Sequence, residues 1–275
     1  MSSTNIPIYD SAQRVHPALE ELRESIRYRY LIRQIVRRDI LTRYKRSVLG
    51  VAWSMLNPLG MMVVMTVVFS TVFGRDESYP AYLLSGLLAW NFMAEATTSI
   101  MRNLVWGSSL LQRIYVPRTA FAISSIGTGL VNLALSVIPL VLVMLVVGVP
   151  IRLSILFTPI AALLLTAFSL GLGLLLSVFA MYFPDVSEMY KVALRAWMYL
   201  TPIIYGEELL ANGGAKWLLV VNPMRYLVNI FRIPIREGRI PVWEEFWPAA
   251  LIAGVMLAVG WLVFTRQADE FAYRV

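Results

Sequence analysis

The chain has 275 residues, 58% of them hydrophobic and 15% charged, with a formal net charge of +7 and a mean hydropathy of +0.66. Soluble domains are about 25% charged, so this chain lacks the polar surface to cover itself in water, and a soluble globular protein is excluded. With no cysteine and one histidine, His16, it offers no disulfide, no thiolate or histidine metal cluster and no buried histidine relay.

The first 46 residues hold 10 of the 24 lysines and arginines and lack the apolar core of a signal peptide. Insertion is therefore expected from the first internal span. Between Tyr28 and Arg38 a helical wheel places Tyr28, Leu31, Ile32 and Ile35 on one face and Arg33 and Arg37 on the other. That is the pattern of a helix lying in the membrane interface, with Arg33, Arg37, Arg38, Asp39, Arg43 and Tyr44 as its candidate residues. The plainer alternative is a basic flank that only keeps the N-terminus cytoplasmic.

Long charge-free runs then predict spans at about residues 48–73, 119–147 and 154–182, and a run interrupted by one acid, Glu95, predicts another at about 80–101, each sufficient for the roughly 20 residues that cross a bilayer core. A fifth span at 187–205 needs Glu188, Lys191 and Arg195 at its cytoplasmic end, where long side chains snorkel to the interface. Residues 216–231 are apolar but broken by Asn222 and Pro223, with Arg225 and Arg232 flanking the second half, so they predict two short interfacial or re-entrant helices. A sixth span follows at 246–265. Six spans put both termini in the cytoplasm, with 17 basic residues inside and 7 outside. The expected fold is an all-α polytopic membrane protein: a cytoplasmic leader, 1–46, with an amphipathic interface helix, then a six-span transmembrane domain, 47–275. No internal repeat or linker divides it further.

Within the second span Asn91, Glu95, Thr98 and Arg102 are spaced by four, three and four and share one helical stripe. A carboxylate inside a span costs about 2.5 to 3.5 kcal/mol at the centre and avoids lipid. It faces a hydrated path, a partner, or a neighbouring helix to which it is simply hydrogen-bonded. Trp53, Trp90, Trp197, Tyr199 and Tyr205 lie in or at the ends of spans. They fit an interfacial aromatic belt, or rings that slide along the CH faces of a sugar. Candidates for a channel or gate are thus Trp53, Trp90, Asn91, Glu95, Thr98, Tyr199, Tyr205, Asn222 and Pro223. No GxxxxGK[ST] phosphate loop occurs, since Gly213 and Gly214 before Lys216 lack its spacing and its hydroxyl residue. ATP-driven work must come from another subunit.

Residues 31–59, LIRQIVRRDILTRYKRSVLGVAWSMLNPL, resemble the leader helix and first span of the membrane subunits of type-2 ABC exporters for lipid-linked polysaccharides. Three further pieces fit in order: residues 102–118 with their VPR ending, 201–205 reading TPIIY, and 222–232 reading NPMRYLVNIFR. The resemblance implies a homodimeric channel joined to two copies of an ABC ATPase subunit, which binds ATP and Mg²⁺. This chain would carry no cofactor, metal or nucleic acid. The resemblance also implies an interface helix near residues 28–46 and a coupling helix seated on the ATPase, with Leu110, Leu111, Arg113, Ile114 and Tyr115. Short helices between residues 207 and 239 would form an extracytoplasmic gate. The substrate would be a lipid-linked glycan such as O antigen, in a bacterial inner membrane. Alternatives are an ABC exporter of drugs or small lipids, or an ion-coupled secondary transporter using Glu95. A membrane-embedded transferase lacks a reactive set, because no histidine or cysteine accompanies Glu95.

Overall fold

Two amphipathic helices open the fold, α1 (Pro17–Arg27) and α2 (Arg29–Tyr44), in the computed structural model, which describes residues 17–45, 49–50, 52–73, 77–105, 117–214 and 216–267. There follow α3 (Ala52–Phe73), α4 (Tyr79–Val105), α5 (Arg118–Val147), α6 (Thr158–Tyr182), α7 (Val186–Leu200), α8 (Glu207–Asn212), α9 (Lys216–Val221), α10 (Pro223–Arg236) and α11 (Trp243–Gln267). Helix is the only regular structure among the described residues apart from a 3₁₀ turn, Leu153–Phe157, before α6. In lipid this is required, because a helix satisfies its own backbone groups where water cannot.

Four of these helices are long and apolar enough to cross a membrane: α3, α5, α6 with its leading turn, and α11. The chain is a multi-pass membrane protein. Helix α4 is less apolar because it carries Asn91, Glu95 and Arg102, yet it is the centre of the packing. Twenty of its 27 residues are buried, against α3, α5, α6, α7 and α10. At 1.5 Å per residue it extends about 40 Å.

Glycine sets the closest crossing. Gly171 on α6 faces Met256 and Leu257 on α11, and Gly260 on α11 faces the Gly171 carbonyl, so that a Cβ on either would overlap the other helix's backbone. Without a hydrophobic driving force between helices in lipid, such small-residue contacts let dispersion and close packing hold the pair. Gly148, at φ 78°, ends α5 in the left-handed conformation that glycine adopts without strain.

The leader contains a helix that the periodicity did not predict. Helix α1 buries Glu21 and Ser25 against the first turn of α5, where Thr119 donates to Glu21 at 2.7 Å and shares a hydrogen bond with Ser25 at 2.9 Å. Trp261 on α11 donates to the Ala18 carbonyl at 3.2 Å, so α1 joins the start of α5 to the end of α11. Helix α2 packs Ile35 and Val36 against α5, where Gly127 gives Val36 its place.

Two lengths differ from expectation. The fifth helix stops at Leu200 instead of 205; its 15 residues extend about 22 Å, short of a 30 Å hydrocarbon core. Pro202 has no N–H to continue the ladder, and side chains from α4 and α10 take up the following carbonyls. Three helices, rather than two, lie between α7 and α11, because Gly213 and Gly214 interrupt the segment before Asn222 does.

Candidate functional site

A polar groove runs between α3, α4 and α5. Its main chamber, about 690 Å³, is lined by Trp53, Ser54 and Asn57 of α3, Asn91 and Glu95 of α4, and Asn132 and Ser136 of α5, among others. A second chamber of about 400 Å³ shares Glu95 and Gly129 with the first and continues past Ser99, Arg102 and Thr128 to Asp39 and Thr42 of the leader. Together they form one polar track from the leader into the bundle, with Glu95 where the chambers meet.

Amide, carboxylate and hydroxyl groups line the groove beside apolar side chains. Asn132 donates to Glu95 across the helix gap at 3.5 Å, while its own Oδ1 is buried and meets no donor. Ser136 bonds the Ser54 carbonyl at 3.2 Å and holds α3 to α5. Trp53 is 53% exposed and presents its ring at the mouth. Amide, carboxylate and hydroxyl groups beside an open indole can exchange hydrogen bonds with a polyol and cover its CH face.

Of the predicted stripe, Asn91, Glu95 and Arg102 reach the groove. Thr98 instead donates to the carbonyl of Ala94 at 2.6 Å on its own helix. Trp90 points to the opposite side, packed edge-on against Trp197 with ring centroids 5.6 Å apart.

The other predicted residues hold the far end of the bundle together. Asn222 caps α10 by accepting from the Met224 N–H at 3.1 Å, accepts from Trp197 Nε1 at 2.9 Å, and donates to the Leu200 carbonyl and Thr201 hydroxyl. Pro223 takes the first helical position, where its missing N–H costs nothing. Tyr205 donates to the Tyr199 carbonyl at 2.7 Å, and Tyr199 is exposed. On the leader, Arg33, Arg37 and Arg38 are exposed, Arg38 pairs with Asp39 at 3.0 Å, and Arg43 and Tyr44 close the helix. The coupling candidates Leu110, Leu111, Arg113, Ile114 and Tyr115 lie outside the described residues.

A family model for the membrane domain described as ABC-2 type transporter matches residues 30–235. The chain belongs to the ABC-2 type transporter family. Among the relatives of this ABC-2 chain is the O-antigen export system permease protein RfbA of Myxococcus xanthus, 28% identical over 254 residues that cover 91% of this chain and 97% of the relative. A permease of the same name from Klebsiella pneumoniae is 23% identical, covering 86% and 92%. The capsule polysaccharide export inner-membrane protein CtrC of Neisseria meningitidis is 24% identical, covering 86% and 90%.

Two features of this ABC-2 domain escaped sequence reasoning. On α5, Ser125, Thr128, Asn132 and Ser136 recur at intervals of three, four and four and supply one wall of the groove. That stripe is visible in the sequence, but hydroxyl residues bond back to their own helix so often that such spacing alone does not mark a site. The second is a knot after α7. Tyr79 donates to the Ile204 carbonyl at 2.8 Å, Tyr82 to Tyr205 at 2.9 Å, and Arg232 to Pro202 and Ile203 at 3.1 and 3.3 Å. These partners are more than 20 residues apart in sequence, and no local pattern announces them.

Proposed function

We propose that this chain is the permease subunit of an ATP-driven exporter that moves a lipid-linked polysaccharide, such as O antigen, across the bacterial inner membrane. Membership of the ABC-2 family and relatives that are permeases for O antigen and capsule polysaccharide support the class of substrate. The single structural observation that carries the reading is the groove of Trp53, Asn91, Glu95 and Asn132, whose chemistry suits a neutral, hydroxyl-rich chain better than a hydrophobic drug. It serves as one half of the glycan path.

A second copy of the chain closes that path. Only 11% of the α3 span is buried, against 44% of the α6 span, so α3 contributes a largely open face beside the groove. Six crossings, by α3, α4, α5, α6, α7 with the turn that follows it, and α11, leave both termini cytoplasmic and place α8, α9 and α10 outside as a gate. ATP and Mg²⁺ belong to two copies of a separate ATPase subunit seated on the loop that holds Leu110 to Tyr115. The permease itself makes and breaks no bond.

Purified permease and ATPase, co-reconstituted in vesicles with a lipid-linked glycan, test this reading. Glycan should become accessible to an external glycosidase only when both subunits and hydrolysable ATP are present. Glycan movement by the permease alone, or movement driven by an ion gradient without ATP, would overturn it.

A further inference from the structure

A crevice of about 420 Å³ lies between α5 and the start of α6, with the buried Phe231 and Ile235 of α10 as its floor. It begins beyond the turns of α5 that the leader covers, around Thr119 and Gly127. From Leu130 to Leu140 it follows α5 for about 15 Å, which is half of a hydrocarbon core of about 30 Å. Leu133 lines both this crevice and the polar groove, so α5 carries an apolar cavity and a polar one on adjoining faces.

The lining holds no charged residue, and Thr158 is its one side chain with a hydroxyl. Such walls give a sugar or an ion almost nothing to bond in exchange for its water. Ala134 and Pro159 are exposed at the edges, and the exposed side chains around them, Ile138, Leu156 and Leu163, are apolar. Both α5 and α6 are apolar enough to cross a membrane, so the crevice opens on hydrocarbon. Left empty, its walls forfeit their dispersion contacts on one side. Size then selects among hydrocarbons. An engineered cavity of about 150 Å³ lined by similar side chains holds one benzene, and on that scale the crevice takes a single chain of roughly sixteen carbons.

We propose that this crevice binds one acyl chain of a membrane phospholipid, which packs between α5 and α6 and touches Phe231 and Ile235 of α10. Its length fits one leaflet and its volume one chain, so the second chain of the lipid stays in the bilayer. The bound chain supports α10 from below and the α5 wall of the groove from behind. The site does not depend on what the groove carries.

The test is photolabelling of the full chain in phosphatidylcholine nanodiscs that contain some phosphatidylcholine with a diazirine in one acyl chain, the labelled residues being mapped by mass spectrometry. Label should appear on Phe231 or Ile235, 0% and 1% exposed, which lipid outside the crevice does not touch, as well as on the exposed Leu251 and Val255 of α11. Ala134→Phe, which puts a ring in the mouth, should lose the label on α10 and keep that on α11. Leu142→Phe, exposed on the same helix outside the lining, should keep both. Absence of label on α10 in the wild-type chain, or label there that survives Ala134→Phe, overturns the proposal. So does label displaced by a small mole fraction of a long-chain isoprenoid phosphate, which would assign the crevice to the anchor of a glycan. Neither ATP nor the ATPase enters the measurement, so failure here is distinct from failure of the export reading.

Discussion

At the scale of single residues, Glu95 is where the sequence and the structure meet. Its place in an apolar helix points to a hydrated path, a partner or a hydrogen bond to a neighbouring helix, and it lies where the two chambers join, facing Asn132. If its role is to exchange hydrogen bonds with hydroxyls, Glu95→Gln should keep most export, while Glu95→Leu, which removes both acceptors, should reduce initial export rates about tenfold. An ion-coupling site would behave differently, since Gln removes the charge and would abolish transport. Trp90 and Asn222 show where such reading stops. An aromatic or amide in a span is legible, but whether it faces a path or fastens two helices depends on neighbours far away in sequence. Trp90 turns to Trp197, and Asn222 spends its donors and acceptors on the ends of α7 and α10.

A pH dependence also belongs to this scale. Burial raises the Glu207 carboxyl, but hydrogen bonds from Arg225 and Asn229 and the Arg225 charge together outweigh it and hold the group below its ordinary value. A lowered carboxylate contributes stability that is present above the unfolded value, near 4.5, and is lost as pH falls through the folded one. Unfolding midpoints of wild type and Glu207→Gln should therefore differ at pH 7 and converge toward pH 3. The pair is partly exposed, so the difference is expected to be small.

Among elements, the long apolar helices were readable from composition alone because twenty residues without a charge have no other home. The short ones were not. Helix α1 is polar enough to pass for a solvated leader, and its docking rests on its own Glu21, a carboxylate buried against Thr119 at the start of α5, which no periodicity reveals. The end of α7 is set by Tyr79, Tyr82 and Arg232 drawing the carbonyls of residues 202–205 out of the helix. Arg232→Lys should not rescue Arg232→Gln there, because an ammonium lacks the planar fork that bonds both carbonyls while lying against the Tyr82 ring; both variants should unfold at lower temperature than wild type. The α6 and α11 crossing gives a sharper test. Gly260→Leu must push the helices apart, at a cost of about 1 to 3 kcal/mol or more, seen as a lower unfolding midpoint in detergent. Gly254→Leu on the same helix, where a Cβ meets nothing within 4 Å, should leave the midpoint unchanged.

For the whole molecule, α3 lines the groove but is itself little buried, and the account requires that the open side beside it face the glycan. Sequence could place Asn91 and Glu95 on one stripe but could not supply the wall of Ser54, Asn57, Asn132 and Ser136, which three helices build together. The most direct measurement is site-specific photo-crosslinking in the working exporter, with a photoreactive residue at position 91 in the groove and, for comparison, at position 146, 87% exposed on α5 away from it. The account predicts that glycan crosslinks at position 91 while export is under way and not at 146. Absence of glycan at position 91, or equal labelling at the two positions, would contradict it.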